Sequence, residues 1–254
     1  IFKQIYFLPK KMINYFTLFF IKIFDFFHKR KILNFLKSKF NKFEILFDVG
    51  GHVGESIDLF LKNFQVNRIF SFEASPLNFK ILNSKLHHLK KKFSGSKIVI
   101  ENLAIGNEKK KISINQFLES SSSTIKEVNQ NSEYFKKKFM FLKKNVEGNF
   151  FYKVDVNMTT LYEYINDNNL SSIDFIKIDT EGYEYEVLLG LRDKIKNVKI
   201  IFFEHHYDNM IIKNYKFSDL HALLIKNNFK KIFKIKMPFR KSFEYIYENN
   251  LKND

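Results

Sequence analysis

The chain has 254 residues, 45% hydrophobic and 28% charged, with a formal net charge of +16. That length suits one α/β domain with an added segment, and the apolar share is too high for a mainly disordered chain. The lack of cysteine excludes disulfide scaffolds, cysteine zinc sites, iron–sulfur clusters and thiol nucleophiles, and it suits a reducing, cytoplasmic setting. Three prolines and eight glycines exclude collagen-like and proline-rich architectures.

The charge is uneven. Residues 1–42 hold ten Lys or Arg and one acid, Asp25, and so carry more than half of the excess. This is a local basic segment and not a field spread over the chain, which weighs against nucleic acid as the partner. Within the segment, Ile13, Phe16, Phe20, Ile23, Phe24 and Phe27 share one helical face, with Lys22, Asp25 and Lys29 opposite. The longest uncharged run, Met12 to Ile21, is ten residues, short of the ~20 that a spanning helix needs. Two readings stand. The helix lies on an anionic membrane surface as a peripheral contact, or it packs on the following domain or on a second subunit.

From residue 43 the pattern becomes strand, glycine turn, helix. The apolar run Ile45–Phe47 ends at Asp48, followed by Gly50-Gly51-His52-Val53-Gly54, and then Ile57, Phe60, Leu61 and Phe64 at helical spacing. Gly50 allows a sharp turn and close approach of a ligand, and Gly54 lets the helix begin near the strand. The pattern is not the G-x-G-x-x-G of dinucleotide binders, which weakens a nicotinamide dehydrogenase reading. A second strand, Arg68–Phe72, ends at Glu73, where an acid suits ribose hydroxyls. Pro76 opens a helix, and a third strand, Lys97–Leu103, ends at Ala104. Three consecutive βα units with polar residues at their carboxyl ends predict a ligand crevice there.

These segments resemble the FkbM family of S-adenosylmethionine-dependent, class I methyltransferases. The resemblance is carried by FDVGGHVGES (47–56), FSFEASPLNFKIL (70–82), IENLAIGN (100–107) and IDFIKIDTEGYEYEVLLGL (173–191). The last is the most specific, with Lys-x-Asp-x-Glu-Gly-x-Glu ahead of an apolar helix. The resemblance implies a Rossmann-like α/β fold with a seven-stranded, mostly parallel sheet, helices on both faces and an antiparallel last strand. It implies S-adenosyl-L-methionine as cofactor and a hydroxyl, often of a sugar, as acceptor. It also implies that Asp48, Gly50 and Gly54 surround the methionine part, that Glu73 takes the ribose, and that Asn102 and Ala104 lie near the adenine. Gly51-His52 depart from the family's commoner Ala-Asn.

The domain is expected over 43–254, with 108–158 an insertion carrying strand-like stretches Lys111–Phe117 and Phe150–Asn157. Between these lie Ser120–Ser123 and the Lys136–Lys138 cluster, forming a lid or a surface hairpin. Thr160 to Glu163 reads as a capping box. A fourth strand, Ile173–Ile178, puts Lys177 and Asp179 on one side, with Glu181 beyond if the chain stays extended. A fifth, Val198–Phe203, ends in Glu204-His205-His206, of which one histidine can face the crevice. Methyl transfer to a hydroxyl needs in-line positioning and a general base, and the candidates are Glu181, His205 and Asp179. A divalent cation on the carboxylates would be the other way to acidify the hydroxyl, and no metal is expected. Glu184 is expected on a solvated face or paired with Lys177. The expected function is O-methylation of a sugar hydroxyl on a glycan or lipid-linked saccharide. The rivals are a degenerate methyltransferase fold used for docking and an RNA methyltransferase.

Overall fold

The computed structural model describes residues 10–117, 123–136 and 151–252, with side chains from residue 23 onward. Helix α1 (Lys10–Lys39) leads into β1 (Lys42–Val49), α2 (Glu55–Asn63), β2 (Gln65–Phe72), α3 (Pro76–Lys92) and β3 (Lys97–Glu101). Then come β4 (Ala104–Gly106), β5 (Lys110–Phe117), β6 (Ser123–Thr124), β7 (Phe151–Thr160) and α4 (Leu161–Asp167). The chain closes with β8 (Ile173–Ile178), α5 (Glu184–Leu189), a 3₁₀ turn (Arg192–Asn197), β9 (Val198–His206), α6 (Phe217–Lys226), β10 (Phe229–Lys236) and β11 (Ser242–Asn249).

Seven strands form one sheet in the order β10-β11-β9-β8-β1-β2-β3. The β3-β2-β1-β8-β9 run is parallel, and β11 lies antiparallel between β9 and β10. Parallel strands need cover on both faces, which explains the continuous apolar runs of β1, β8 and β9. Alternation then sorts the side chains. Leu46, Phe175 and Phe202 face α1, α2 and α3, where they meet Ile32, Leu36, Phe60 and Leu82. Phe47, Ile176 and Ile201 face α4, α5 and α6, where they meet Leu161, Val187 and Leu220. This is the α/β architecture that the sequence pattern implies, with the antiparallel strand in place.

Three local features add to this picture, the first of them a departure from expectation. After β3 the chain enters a second sheet, order β4-β7-β5-β6, and not a helix, so only two of the first three strands open βα units. The strand-like ends of the insertion pair antiparallel as β5 and β7 from Lys110↔Met158 to Phe117↔Phe151. Ser120–Ser122 and Lys137–Lys138 lie outside the described residues. Third, α1 runs on through the basic cluster to Lys39, because Lys and Arg are good helix formers and the apolar face continues at Ile32, Leu33 and Leu36. Its last three turns pack on the domain, with Phe35 stacked on Phe233 at 4.4 Å and His28 paired with Glu244. No described helix is long and apolar enough to cross a membrane.

Candidate active site

The site grows out of the turn after β1. Gly50 has φ +90 and Gly54 φ +88, a region that side chains disfavour. A Cβ on Gly50 would sit 2.0 Å from the Asp179 carbonyl oxygen, so this position admits no side chain. The Gly50 and Gly51 N–H groups both donate to the Phe72 carbonyl at 2.9 Å, which bends the chain across the end of β2. His52 also takes positive φ, +47, which His and Asn tolerate better than most residues; this accounts for the departure noted at that position. Asp48 lies behind this turn. It is fully buried, accepts a hydrogen bond from Ser71 Oγ at 3.0 Å and stands 3.5 Å from Lys177 Nζ. Its carboxylate faces Ser71 and Lys177 at the carboxyl end of the sheet.

Glu73 follows β2 and lines the same cavity. Its Oε2 accepts the His52 N–H at 2.7 Å and its Oε1 the Ser75 N–H at 2.9 Å. Burial raises its pKa, outweighing the Ser75 and His52 amides. Oε1 also accepts from Asn78 Nδ2 at 3.5 Å, so of the carboxylate's roughly four acceptor positions it is Oε2 that keeps room for a further donor. Asn102, expected near the adenine, ties the wall together by donating to the carbonyls of Glu73 at 2.8 Å and Ala74 at 3.2 Å. Ala104 does line the cavity.

At the other end are the carboxyl termini of β8 and β9. Lys177 Nζ lies 3.3 Å from Asp179 Oδ2. Burial opposes the Asp179 charge, but Lys177 outweighs it and the pKa is lowered. Glu181 sits in a left-handed turn, φ +51, followed by Gly182 at φ +98. Glu184 holds that turn. Its Oε1 accepts the Gly182 N–H at 2.8 Å and the Thr180 hydroxyl at 3.2 Å, and its Oε2 accepts the Tyr215 hydroxyl at 2.5 Å. Glu184 is therefore buried and neither solvated nor paired with Lys177, a correction to the sequence reading. Its signal was the Glu-Gly-x-Glu spacing; the Tyr215 partner was not visible from sequence.

β9 continues to His206, so its alternation extends through both histidines. Glu204 and His206 fall on the cavity side of the sheet, and His205 on the other. His205 packs against Tyr207, Tyr215 and Phe217 at 4.8–5.8 Å between ring centroids. Burial first, then Lys213 and His206, lower its pKa to about 3. The expected placement of His205 in the crevice is not met. His206 Nε2 lies 3.4 Å from both Glu181 Oε2 and Glu204 Oε1. Burial pulls its pKa down, but Asp208, Glu181 and Glu204 raise it to about 10. Burial raises Glu204 to about 8, against the pull of His206 and with help from Asp179 and Glu181. Among the described residues no group of His, Asp and Glu is arranged to hold a metal ion.

One cavity of about 560 Å³ joins both ends, within the range of small-molecule sites. Gly50, Glu73 and Ala104 line one part, and Asp179, Glu181 and Glu204 the other. Asp25, His28 and Lys29 of α1, Ser123 to Ile125 of β6 and its edge, and Arg240 and Glu244 near β11 complete the wall. Carboxylates outnumber Lys and Arg in that wall.

The sequence profile described as the methyltransferase FkbM domain matches residues 48–231. The chain belongs to the FkbM methyltransferase family. FkbM-family methyltransferases use S-adenosylmethionine. Among solved structures the chain is similar to methyltransferase FkbM from Methylobacillus flagellatus KT. The two share 15% identity at a TM-score of 0.53, over 80% of this chain and 43% of that one. It is also similar to magnesium protoporphyrin IX methyltransferase (ChlM) from Synechocystis PCC 6803 with bound SAM. There the identity is 8% and the TM-score 0.49, over 91% of this chain and 82% of that one. The first likeness shows the fold, and this chain spans less than half the length of that FkbM structure. No curated protein matches the sequence.

The residues present fit the family's cofactor. The side-chain-free turn at Gly50 leaves backbone exposed to a ligand. Glu73 Oε2 keeps an acceptor position for a hydroxyl, and Asp179, held ionised by Lys177, lines the same cavity with a negative charge that suits a cationic ligand.

Proposed function

We propose that this FkbM-family chain is an O-methyltransferase whose acceptor is a saccharide hydroxyl. One observation carries the reading: a single cavity is lined both by the nucleotide-type wall (Gly50, Glu73, Ala104) and by Glu181 and Glu204, which His206 backs at 3.4 Å. When bound, S-adenosylmethionine supplies an electrophilic methyl group. The protein's own part is to bind and orient both partners and to move one proton.

Glu73 accepts a hydroxyl donor through the Oε2 position that His52, Ser75 and Asn78 leave open. Gly50 keeps the first turn open, with Gly54 starting α2 behind it. Lys177 keeps Asp179 ionised. His206, protonated across neutral pH, stands behind Glu181 and Glu204 and so acts as a fixed cation that orients them. It replaces His205 in the proposed cluster, and as a cation it cannot be the base. Glu181 is then the group proposed to accept the acceptor hydroxyl's proton. Glu204 carries its proton below about pH 8 and can donate a hydrogen bond to a neighbouring sugar hydroxyl.

Carboxyl groups, protonated or ionised, outnumber Lys and Arg in the wall, which suits a neutral, hydroxyl-rich acceptor better than a polyanion. That observation disfavours RNA as acceptor despite the chain's net +16. A degenerate docking fold is disfavoured because the cavity keeps a buried Glu73 and a charged Asp179. The test is transfer of labelled methyl from S-adenosylmethionine to a panel of neutral saccharides, amino sugars and RNA. Label on a neutral saccharide that survives mild alkali, as an ether does, supports the reading. Label only on RNA or on nitrogen overturns it.

A further inference from the structure

Two segments meet at the mouth of the cavity, and they share a composition. One is Ile23–Lys31 of α1, IFDFFHKRK; the other is Lys234–Lys241 at the β10–β11 turn, KIKMPFRK. Together they contain one acid. α1 is anchored to the domain as far as His28, which is buried against Glu244. Beyond it the phenylalanines are in water: Phe24 is 45% exposed, Phe26 60% and Phe27 52%. Across the mouth Phe239, 71% exposed, is held at φ +59 and meets Phe24 edge to face, 5.1 Å between centroids. Lys29, Arg30 and Lys31 are exposed on the helix, and Lys236 and Lys241 flank Phe239. The neighbours of these residues, Asp25, His28, Lys29, Met237 and Arg240, line the cavity itself.

Four exposed phenylalanines beside a cluster of cations and almost no anion have a stated physical complement. Apolar rings enter the acyl boundary of a bilayer while Lys and Arg stay at anionic headgroups. The rings do not form a platform for stacked bases: Phe24 and Phe239 stand at 87°, and Phe26 and Phe27 at 72°. From this geometry we infer that residues Phe24–Lys31 of α1 and the β10–β11 turn form one docking surface for an anionic phospholipid bilayer, which sets the cavity mouth against the lipid. Resting on the proposed function, this narrows the acceptor to a lipid-linked saccharide presented at the membrane. Each basic residue at such a surface adds about fivefold to binding, and salt weakens the attraction.

The full chain is mixed with vesicles of phosphatidylcholine alone or with added phosphatidylglycerol, and the bound fraction is read by co-sedimentation. Binding is expected to the anionic vesicles only and to weaken with salt. Phe24→Ser with Phe239→Ser, and separately Arg30→Glu with Lys31→Glu, should each lower it about tenfold or more. Lys109→Glu, an exposed charge on the β4–β5 connection, should lower it little. Calorimetric titration of the same variants with S-adenosylhomocysteine should be unchanged, so failure of docking and failure of the methyltransferase reading are separated. No sedimentation with either vesicle overturns the inference, as does equal binding by all variants. Light scattering that shows a dimer dissolved by the phenylalanine pair, without vesicle binding, assigns the face to a second copy. Binding of polyuridylate lost on charge reversal, again without vesicle binding, assigns it to RNA.

Discussion

His206 Nε2 lies 3.4 Å from Glu204 Oε1, and both groups have raised pKa values, His206 to about 10 and Glu204 to about 8. A group whose folded pKa is raised stabilises the fold fully below its unfolded pKa and loses that contribution as pH climbs to the folded value. For Glu204 the window runs from 4.5 to about 8. Thermal stability is expected to fall across that window in the wild type. In Glu204→Gln, which stays neutral, the curve should flatten. Melting temperatures collected through the window check this; an equal slope in both proteins would show that Glu204 titrates normally.

The neighbouring histidines are predicted to differ. His205 is held neutral among rings, and its buried Nδ1 has no hydrogen-bond partner among the described residues. His205→Phe is expected to change stability by less than about 1.5 kcal/mol. His206→Gln removes the buried cation that faces Glu181 and Asp208, and should cost about 3 kcal/mol near neutral pH by breaking that ion pairing. Chemical denaturation of the two variants separates these outcomes.

Glu184→Ala leaves the Gly182 N–H and the Tyr215 hydroxyl without their acceptor. Two buried donors left unpaired predict a loss of about 3 kcal/mol. Glu184→Gln, which can still accept, should recover part of it. If the alanine variant were as stable as wild type, the turn carrying Glu181 would be held by other contacts.

Much of this was legible in the sequence because the period of side chains is a local property. The apolar run before Asp48, the glycines after it and the helical spacing from Ile57 all follow from neighbours along the chain. The side of the sheet on which a strand-end residue falls depends on how far the strand runs. β9 continues three residues past Phe203 because β11 pairs with it as far as Ser242↔His206, a contact made across 36 positions of sequence. That pairing turns His205 away and brings His206 in. Glu184 was misread for the same reason: its partner Tyr215 comes from a loop 31 residues away. The bonds from Asn102 to the Glu73 and Ala74 carbonyls were not legible, because backbone carbonyls carry no sequence signal.

Gly50→Ala is expected to abolish cofactor binding, since its Cβ would fall 2.0 Å from the Asp179 carbonyl and at positive φ. The β1 turn must then open or tilt. Loss of S-adenosylhomocysteine binding with a cooperative melt retained would place the effect at the turn; unchanged binding would mean that the two loops can part freely.

The most direct measurement is calorimetric titration of the purified chain with S-adenosylmethionine and S-adenosylhomocysteine, in the wild type and in Glu73→Ala, each checked for a cooperative melt. Saturable binding of both ligands to the wild type, weakened about tenfold or more in the variant by loss of charge-assisted hydrogen bonds, is the predicted result. Folded wild-type protein that binds neither ligand would contradict the methyltransferase assignment of this cavity.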